Sequence, residues 1–265
     1  MNNISIDVSI VIISWKMRDM LETCLNSLYK YTTDIKFEVI VIDNNSCDGT
    51  SEMIVKKFQK IILVKNKNNM GVAPARNQGL EIAKGKYILI LDADMEIKEN
   101  SVLKLFQFME ITHDCGVVGS KLVDMSGELQ YSCKRYPTIL AFLFRRLEYI
   151  PFIANSKTLK NHTMQYWDHK SVKTVDYLIG ACQFIRADII KIIGFYDKNI
   201  FYGPEDIDFC LRVWKSGSKV YYYPDTSIIH FEQRITKKKF FSIISFKHLK
   251  GIFYLYKKYN CKIRI

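Results

Sequence analysis

Two short acidic clusters contain the residue types from which a catalytic site can be built. Asp92-Ala93-Asp94 follows the hydrophobic run ILIL, where a strand is expected to end. Ligands collect at the carboxyl ends of strands in open α/β sheets, so both carboxylates are expected to face a crevice. Mg²⁺ and Mn²⁺ bind through one or two carboxylates while they also hold substrate phosphates. The spacing therefore predicts a cation site, and a plain acidic turn is the alternative.

The second cluster, Glu205-Asp206-Ile207-Asp208, opens a predicted helix directly after Gly203 and Pro204. Acidic residues in a first helical turn complement the helix dipole, which is the simpler explanation of this cluster. Three carboxylates in four residues are more charge than capping requires. One of them, aimed into the crevice, can take a proton from a hydroxyl group as a general base.

Three further positions carry polar groups that a ligand can use. His230 ends the strand SIIH, Asp43 ends the run FEVIVID, and Arg76 lies in the segment NMGVAPARNQG at a helix start. Carboxylates at strand ends can read ribose hydroxyls, and arginine can meet phosphate. A structural histidine, an Asx turn and a surface ion pair are the respective alternatives.

The elements that must position these residues alternate between apolar strands and amphipathic helices. Short β-branched runs typical of buried parallel strands occur at 8–14, 37–43, 61–65 and 86–92. Helix-period segments separate them, so four βα units fill about the first 110 residues. This pattern predicts an α/β fold with an open, mostly parallel sheet and helices on both faces.

The second half is less regular. A hairpin is predicted from 117–123 and 128–132, whereas 136–170 has no assignable pattern. The remaining predicted elements are strands at 177–186, 219–223 and 227–231, and helices at 187–193 and 204–217.

Composition limits the class of protein. The chain has 265 residues, 48% hydrophobic content and a formal net charge of +12. One large domain, or one domain with a short appendage, is therefore expected, together with an anionic partner. Its seven cysteines include no CxxC pair, which favours reduced thiols in the cytoplasm. No apolar run approaches the roughly 20 residues that span a bilayer, so membrane attachment is expected to be peripheral.

Six motifs, taken together and in order, resemble the family 2 glycosyltransferases, particularly their rhamnosyltransferase-like branch. They are VSIVIISW, VIDNNSCDGT, NMGVAPARNQG, LILDADM, GACQFIRADIIKIIGFYD and GPEDIDFCLRVWKSGSKVYYYPDTSIIH. The resemblance covers about 8–231, except 136–170. It implies a GT-A fold, a UDP-, dTDP- or GDP-linked sugar donor, Mn²⁺ or Mg²⁺, and inversion at the anomeric carbon.

The resemblance also implies a role for individual residues. Asp206 corresponds to the catalytic base. The residues that correspond to metal ligands are Asp92, Asp94 and His230. Those that correspond to donor-binding positions are Ser14, Asp43, Asn69, Arg76, Asp92 and Ala93. On the acceptor side they are Asp176, Gly180 and Glu205.

Domain boundaries follow from the same comparison. Residues 1–233 are expected to form the GT-A domain, with a nucleotide-binding half at 1–120 and an acceptor-binding half at 121–233. The basic, aromatic segment 234–265 is predicted to form one or two helices. This tail is expected either to lie on anionic lipid at the inner face of the cell membrane or to pack on the domain.

The expected acceptor is a glycan, which relatives of this type often receive on a polyprenyl diphosphate carrier. Two other functions stay open. A sugar-phosphate nucleotidyltransferase also uses paired aspartates and Mg²⁺, but it gives no reason for the EDxD helix or for His230. A nucleic-acid-binding module would fit the net charge, but the carboxylates would repel a phosphate backbone, so no nucleic-acid partner is expected.

Overall fold

The computed structural model describes residues 5–233 and 242–263; the start of the predicted tail, 234–241, lies outside the described residues. The described strands are β1 (Val8–Ser14), β2 (Phe37–Asp43), β3 (Ile62–Lys65), β4 (Tyr87–Asp92), β5 (Met95–Ile97), β6 (Cys115–Val123), β7 (Leu129–Gln130), β8 (Cys133–Lys134), β9 (Lys173–Thr174), β10 (Tyr177–Leu178), β11 (Cys182–Arg186) and β12 (Lys219–His230). The described helices are α1 (Arg18–Tyr31), α2 (Thr50–Lys57), α3 (Val72–Ile82), α4 (Ser101–Ile111), α5 (Ile139–Arg146), α6 (Pro151–Ala154), α7 (Lys157–His162), α8 (Ala187–Ile193), α9 (Glu205–Lys215) and α10 (Ile243–Lys258).

One large twisted sheet organises the molecule, with the strand order β3-β2-β1-β4-β11-β6-β12-β5. The first four strands in this order are parallel, as the alternating βα units predict. Antiparallel pairing begins where β11 joins β4, and β6 and β12 are again parallel to each other. The strands β8 and β10 form a separate two-stranded sheet.

Helices cover both faces of the sheet, as the sequence predicts. Residues on β1 alternate between the two hydrophobic cores, with Ile10 in one and Val11 in the other. The core that contains Ile10 is completed by α1, α2 and α4, and the core that contains Val11 by α3, α8, α9 and α10. A sheet buried on both faces favours apolar residues at consecutive strand positions, which explains the runs IVII at 10–13 and YILIL at 87–91.

Two segments of the second half differ from the sequence-based expectation. The predicted strand 177–186 is divided into β10 and β11 because the backbone of Gly180 contacts side chains of the cleft instead of another strand. The predicted strands 219–223 and 227–231 are one strand, β12, which keeps its pairing to β6 through a register shift between Tyr223 and Ser227. The predicted hairpin of β6 and β7 is confirmed.

The segment 136–170, which had no assignable pattern, contains the three short helices α5, α6 and α7. Helix α5 contacts the C-terminal helix α10, since the rings of Phe142 and Tyr256 lie 5.8 Å apart and Tyr256 Oη donates to the carbonyl of Pro137 at 2.8 Å. These two helices therefore adjoin on the same side of the molecule.

The C-terminal helix α10 packs on the domain through one of its faces. Lys258 Nζ and Tyr259 Oη both reach the fully buried carboxylate of Asp208, at 2.6 and 2.7 Å. Leu255 is buried in the core, whereas Phe246 and Phe253 are exposed. The third carboxylate of the EDxD cluster thus anchors the tail, and no helix among residues 5–233 and 242–263 is both long and apolar enough to cross a membrane.

Candidate active site

A cleft of about 1000 Å³ opens at the carboxyl ends of β1 and β4 and is bordered by α9 and α10. Segments far apart in the sequence meet in it. The residues predicted from the sequence that line the cleft are Asn69, Arg76, Asp92, Ala93, Asp94, Gly180, Glu205, Asp206 and His230. Both acidic clusters and the histidine therefore share one cavity, as a common site requires.

The guanidinium of Arg76 joins three parts of the cleft. It donates to Asp92 Oδ1 at 3.1 Å, to Glu205 Oε1 at 3.0 Å and to the carbonyl of Gly180 at 2.7 Å. Its side chain is only 3% exposed and lies over the ring of Tyr196. A buried charge is tolerated when it is paired and hydrogen-bonded, so these contacts fix the loop after β4, the start of α9 and the turn between β10 and β11 relative to one another.

Gly180 has no room for a side chain. A Cβ atom there would lie 2.4 Å from Arg76 Nη1. The missing side chain lets the Gly180 carbonyl accept from Arg76 while its N–H donates to Asp206 Oδ2 at 3.2 Å. One glycine therefore connects the buried arginine to the predicted base.

Asp92 and Asp94 differ in their surroundings although only one residue separates them. The side chain of Asp92 is 37% exposed in the cleft, whereas that of Asp94 is 7% exposed. Burial and the charge of Asp92 raise the pKa of Asp94 to about 6, although His230 opposes this shift. The two carboxylates concentrate negative charge that a bound cation would neutralise.

His230 faces Asp94 and is held in place by Gln130. The distance from His230 Nε2 to Asp94 Oδ1 is 3.7 Å. On the other side of the ring, His230 Nδ1 lies 2.8 Å from Gln130 Oε1, and Gln130 Nε2 donates to the His230 carbonyl at 2.9 Å. An amide oxygen can only accept, so Nδ1 carries a proton, and Nε2 is the ring nitrogen that faces Asp94.

The carboxylate of Asp206 lies at the start of α9 and faces the cleft. Its oxygens accept from the N–H groups of Gly180 and Ile207, at 3.2 and 2.7 Å. Burial raises the pKa of Asp206 to about 6, and the charges of Lys134 and Arg76 work against that shift. Such a carboxylate is ionised at neutral pH but is a stronger base than an exposed aspartate, which suits it to general-base chemistry.

The neighbouring Glu205 has a different use. It accepts from Arg76 and from the N–H of Gly203, at 3.0 and 2.8 Å, so both of its oxygens are occupied by internal partners. Burial raises the pKa of Glu205 to about 8, although the charge of Arg76 opposes this shift. Glu205 thus stabilises the loop before α9. Asp206 is the carboxylate of this pair that is proposed for proton transfer.

Three residues predicted from the sequence do not line the cleft. Asp43 accepts from Ser46 N–H at 2.9 Å and from Ser51 Oγ at 2.5 Å, which is the hydrogen bonding of a turn. Asp176 accepts from Arg135 and from the N–H of Tyr136. Ser14 is fully buried, and its Oγ has no hydrogen-bond partner in the part of the chain that the structure describes. Their roles stay predictions.

Other residues of the site carried no recognisable signal in the sequence. Gln130 lies on the two-residue strand β7, Lys134 on the two-residue strand β8, and Arg145 in the segment that had no assignable pattern. Lys134 and Arg145 line the cleft. In the segment 136–170, the basic pair Arg145-Arg146 among aromatic residues is the one sequence feature that could have indicated a ligand-binding site.

Two family models match the chain. One, described as Glycosyl transferase family 2, matches residues 9–190, and another, described as N-terminal domain of galactosyltransferase, matches residues 162–237. The first match covers more than half of the chain and spans both the Asp92 and the Arg76 regions.

Among curated relatives, an uncharacterized glycosyltransferase of Methanocaldococcus jannaschii is 31% identical over 173 residues, which cover 61% of this chain and 57% of that protein. The N-acetylglucosaminyl-diphospho-decaprenol L-rhamnosyltransferase of Mycobacterium tuberculosis is 22% identical over 238 residues, 86% of this chain and 76% of that protein. The chain thus spans little more than half the length of the first relative.

The fold recurs in solved structures. The crystal structure of GalNAc-T7 with UDP, GalNAc and Mn²⁺ superposes with a TM-score of 0.63 at 17% sequence identity, over 86% of this chain and 44% of that one. The predicted GT-A fold is thereby confirmed.

Removal of the buried guanidinium tests its structural role. We expect Arg76→Met to lower the free energy of unfolding by about 3–5 kcal/mol, because it leaves Glu205 buried without its charged partner. Adding Glu205→Gln to that variant should recover part of the loss, since no buried charge then needs a partner at that position. Urea denaturation of the two single variants and the double variant measures this coupling. Strictly additive losses would contradict the pairing.

Proposed function

Because the chain belongs to glycosyl transferase family 2, we propose that it transfers a sugar from a nucleoside diphosphate donor to an acceptor hydroxyl, with inversion at the anomeric carbon. The observation that carries this proposal is one cleft that contains Asp94, His230 and Asp206. Sugar transfer needs charge stabilisation at the leaving diphosphate and a base at the attacking hydroxyl. The pair Asp94 and His230 suits the first need, and Asp206 suits the second.

Asp94 and His230 would hold the divalent cation, with Asp92 beside them. A carboxylate and an imidazole are ligands that suit Mn²⁺, and Nε2 of His230 faces Asp94. Among the described residues no group of three His, Cys, Asp or Glu side chains forms a complete metal site. Donor phosphates would therefore supply further ligands, as is common for Mg²⁺ and Mn²⁺. The ion would stabilise the negative charge that develops on the leaving diphosphate.

Asp206 would act from the opposite side of the sugar. The acceptor oxygen forms a bond to the anomeric carbon while the bond from that carbon to the diphosphate oxygen breaks. The hydroxyl proton passes to Asp206, and the nucleoside diphosphate leaves with the bonding electrons. A single displacement of this kind inverts the anomeric configuration, and no covalent intermediate on the protein is required.

Donor contacts are proposed for one side of the cleft. Asn69 and Ala93 line it next to Asp92. Ser14 and Asp43 end the adjoining strands β1 and β2, in register with each other. Arg76 would act through Asp92, whose carboxylate it orients.

Acceptor contacts are proposed around Asp206, where Gly180 and Glu205 lie. Asp176, which is held by Arg135 outside the cleft lining, is proposed to shape the same side. The relative from Mycobacterium tuberculosis is named for a lipid diphosphate-linked sugar acceptor. We extend this class to the present chain as an acceptor glycan on a polyprenyl diphosphate. A sugar-phosphate nucleotidyltransferase is the alternative, and its release of pyrophosphate instead of a nucleoside diphosphate would identify it.

An apolar surface beside the cleft suits contact with a membrane. Exposed hydrophobic side chains occur on α5, on α6, on the loop between these two helices and on α10; they are Ile139, Leu140, Leu143, Tyr149, Phe152, Ile243, Phe246 and Phe253. We call these residues the apolar rim. Arg145, Arg146, Lys247 and Lys250 belong to the same helices. Apolar side chains with basic neighbours favour peripheral binding to anionic lipid, here at the cytoplasmic face of the cell membrane.

Replacement of the base tests the chemical step. We expect Asp206→Asn to retain binding of the nucleoside diphosphate with Mn²⁺ but to lower the rate of sugar transfer by about 10²–10⁴-fold, because an amide cannot accept the proton. In the parent protein, protonation of Asp206 below its pKa of about 6 removes the base, so kcat/KM should rise with pH up to about 6 and then level off. Initial rates of nucleoside diphosphate release from pH 5 to 8 measure both effects.

The matched control is Asp188→Asn, which changes an exposed carboxylate on α8. It should behave like the parent protein. Near-normal turnover by Asp206→Asn would remove the assigned role.

The role of Gln130 is to orient His230, and it can be tested without measuring turnover. Gln130→Leu removes the acceptor at His230 Nδ1, so the ring can turn or change its tautomer. We expect about a 10–100-fold loss of Mn²⁺-dependent nucleotide affinity, the usual cost of losing such a supporting group. Isothermal titration with UDP, GDP and dTDP, with and without Mn²⁺, measures the loss of affinity and identifies the nucleobase that the protein prefers.

Gln165→Leu, which changes a half-buried glutamine outside the cleft, is the control for that titration. Equal nucleotide affinity in Gln130→Leu and the parent protein would contradict the assignment of His230 as a cation ligand.

The apolar rim can be tested by vesicle flotation. We expect the full chain to float with vesicles that contain phosphatidylglycerol, and Phe152→Gln combined with Phe246→Gln to lose at least about tenfold in partitioning, since each buried phenylalanine contributes roughly 1.5–3 kcal/mol. Ile111→Gln, at an equally exposed position on the opposite face of the sheet, is the control. Unchanged flotation of the double variant would exclude this surface as the membrane contact.

A further inference from the structure

Lys134 is a buried cation that makes no hydrogen bond or ion pair with any described residue. It lies on β8, is 7% exposed and lines the cleft. Burial and the charge of Arg145 lower the pKa of Lys134 to about 7. A charge withdrawn from water without a partner is costly, so an ammonium in this position indicates a missing anionic ligand.

Arg145 supplies a second cation at the same place. It lies on α5, lines the cleft, and makes no hydrogen bond or ion pair with a described residue. Its charge also lowers the pKa of His162 and of His248, after the larger effect of burial at both rings; Arg146 contributes at His248 as well. Both rings are thus kept neutral, and positive charge collects between β8 and α5.

This cationic corner lies on the acceptor side of the cleft. Lys134 is the charge that most strongly opposes the raised pKa of Asp206, so its ammonium lies near the predicted base. The carboxylates of Asp206, Glu148 and Glu232 act in turn on the pKa of Lys134, which each of them raises. The donor diphosphate is assigned to Asp94 and His230, so an anion at Lys134 belongs to a different molecule.

We infer that Lys134 and Arg145 bind a phosphate group of the acceptor, next to the sugar whose hydroxyl faces Asp206. This inference rests on the proposed function. Phe142, Tyr149 and Ile244 also line the cleft, and Tyr149 belongs to the apolar rim as well. The cleft therefore offers a carboxylate, a cation pair and apolar side chains to an acceptor that consists of a sugar, a phosphate or diphosphate and a hydrocarbon chain.

The test is binding of geranyl diphosphate to the full chain in the presence of Mn²⁺ and saturating nucleoside diphosphate, which occupies the donor side. We expect Lys134→Met and Arg145→Met each to weaken binding by about 10–100-fold, the effect of losing charge-assisted hydrogen bonds. Lys134→Arg should retain binding, and Lys160→Met, an exposed charge on α7, is the control. Geraniol and inorganic pyrophosphate are measured alongside to separate the contribution of the chain from that of the phosphate.

Equal affinity for geranyl diphosphate in Lys134→Met and the parent protein overturns the inference, as does tight binding of geraniol alone. A change confined to the pH profile of transfer, with binding unaltered, would also overturn it, because Lys134 would then act only on Asp206. Tight pyrophosphate binding that Lys134→Met weakens equally would support a phosphate site that does not require the lipid chain. Failure of every nucleoside diphosphate to bind with Mn²⁺ would instead reject the proposed function.

Discussion

The cleft depends on one buried guanidinium. Arg76 comes from α3, yet its hydrogen bonds end on β4, on the turn after β10 and on the first residue of α9. A buried guanidinium is stabilised when it is paired and hydrogen-bonded, and the hydrogen bonds from its two Nη atoms bring three distant segments to fixed positions. Its Nε has no hydrogen-bond partner among the described residues. The alignment of Asp92 with the start of α9 is therefore a consequence of charge burial, and Gly180 is the residue that makes the approach sterically feasible.

Charge is divided unequally among the acidic residues of the cleft. Asp92 and Glu205 are compensated by Arg76, and Asp208 is compensated by Arg212 and by Lys258 from the C-terminal helix. Asp94 and Asp206 are also buried, but no lysine or arginine forms an ion pair with either of them among the described residues; Asp94 has only His230 near it. Asp92, Glu205 and Asp208 are thus paired internally with arginine or lysine, whereas Asp94 and Asp206, the two carboxylates proposed for chemistry, can interact with a ligand.

Helices α5 and α10 connect the cleft with the apolar rim on the surface of the molecule. Helices α5 and α10 meet at Phe142 and Tyr256, and both contribute residues to the cleft and to the apolar rim. Gly203, with φ of 124° and His248 of α10 against it, keeps the loop before Asp206 in contact with the C-terminal helix. The loop before α9 and the C-terminal helix, which carries part of the proposed membrane surface, therefore pack directly against each other.

The sequence by itself determined the parallel half of the sheet and the family of the chain. Fully buried strands require unbroken apolar runs, and the motifs at Asp92, Asp206 and His230 are local in sequence, so both can be recognised without coordinates. Only the tertiary structure decided how Arg76, Gln130, Lys134 and Arg145 are used, because their roles depend on partners up to 129 residues away. The tertiary structure also decided the surroundings of the three acidic residues of α9. Because successive helix positions point in different directions, Glu205 contacts Arg76, Asp206 faces the cleft, and Asp208 contacts the C-terminal helix.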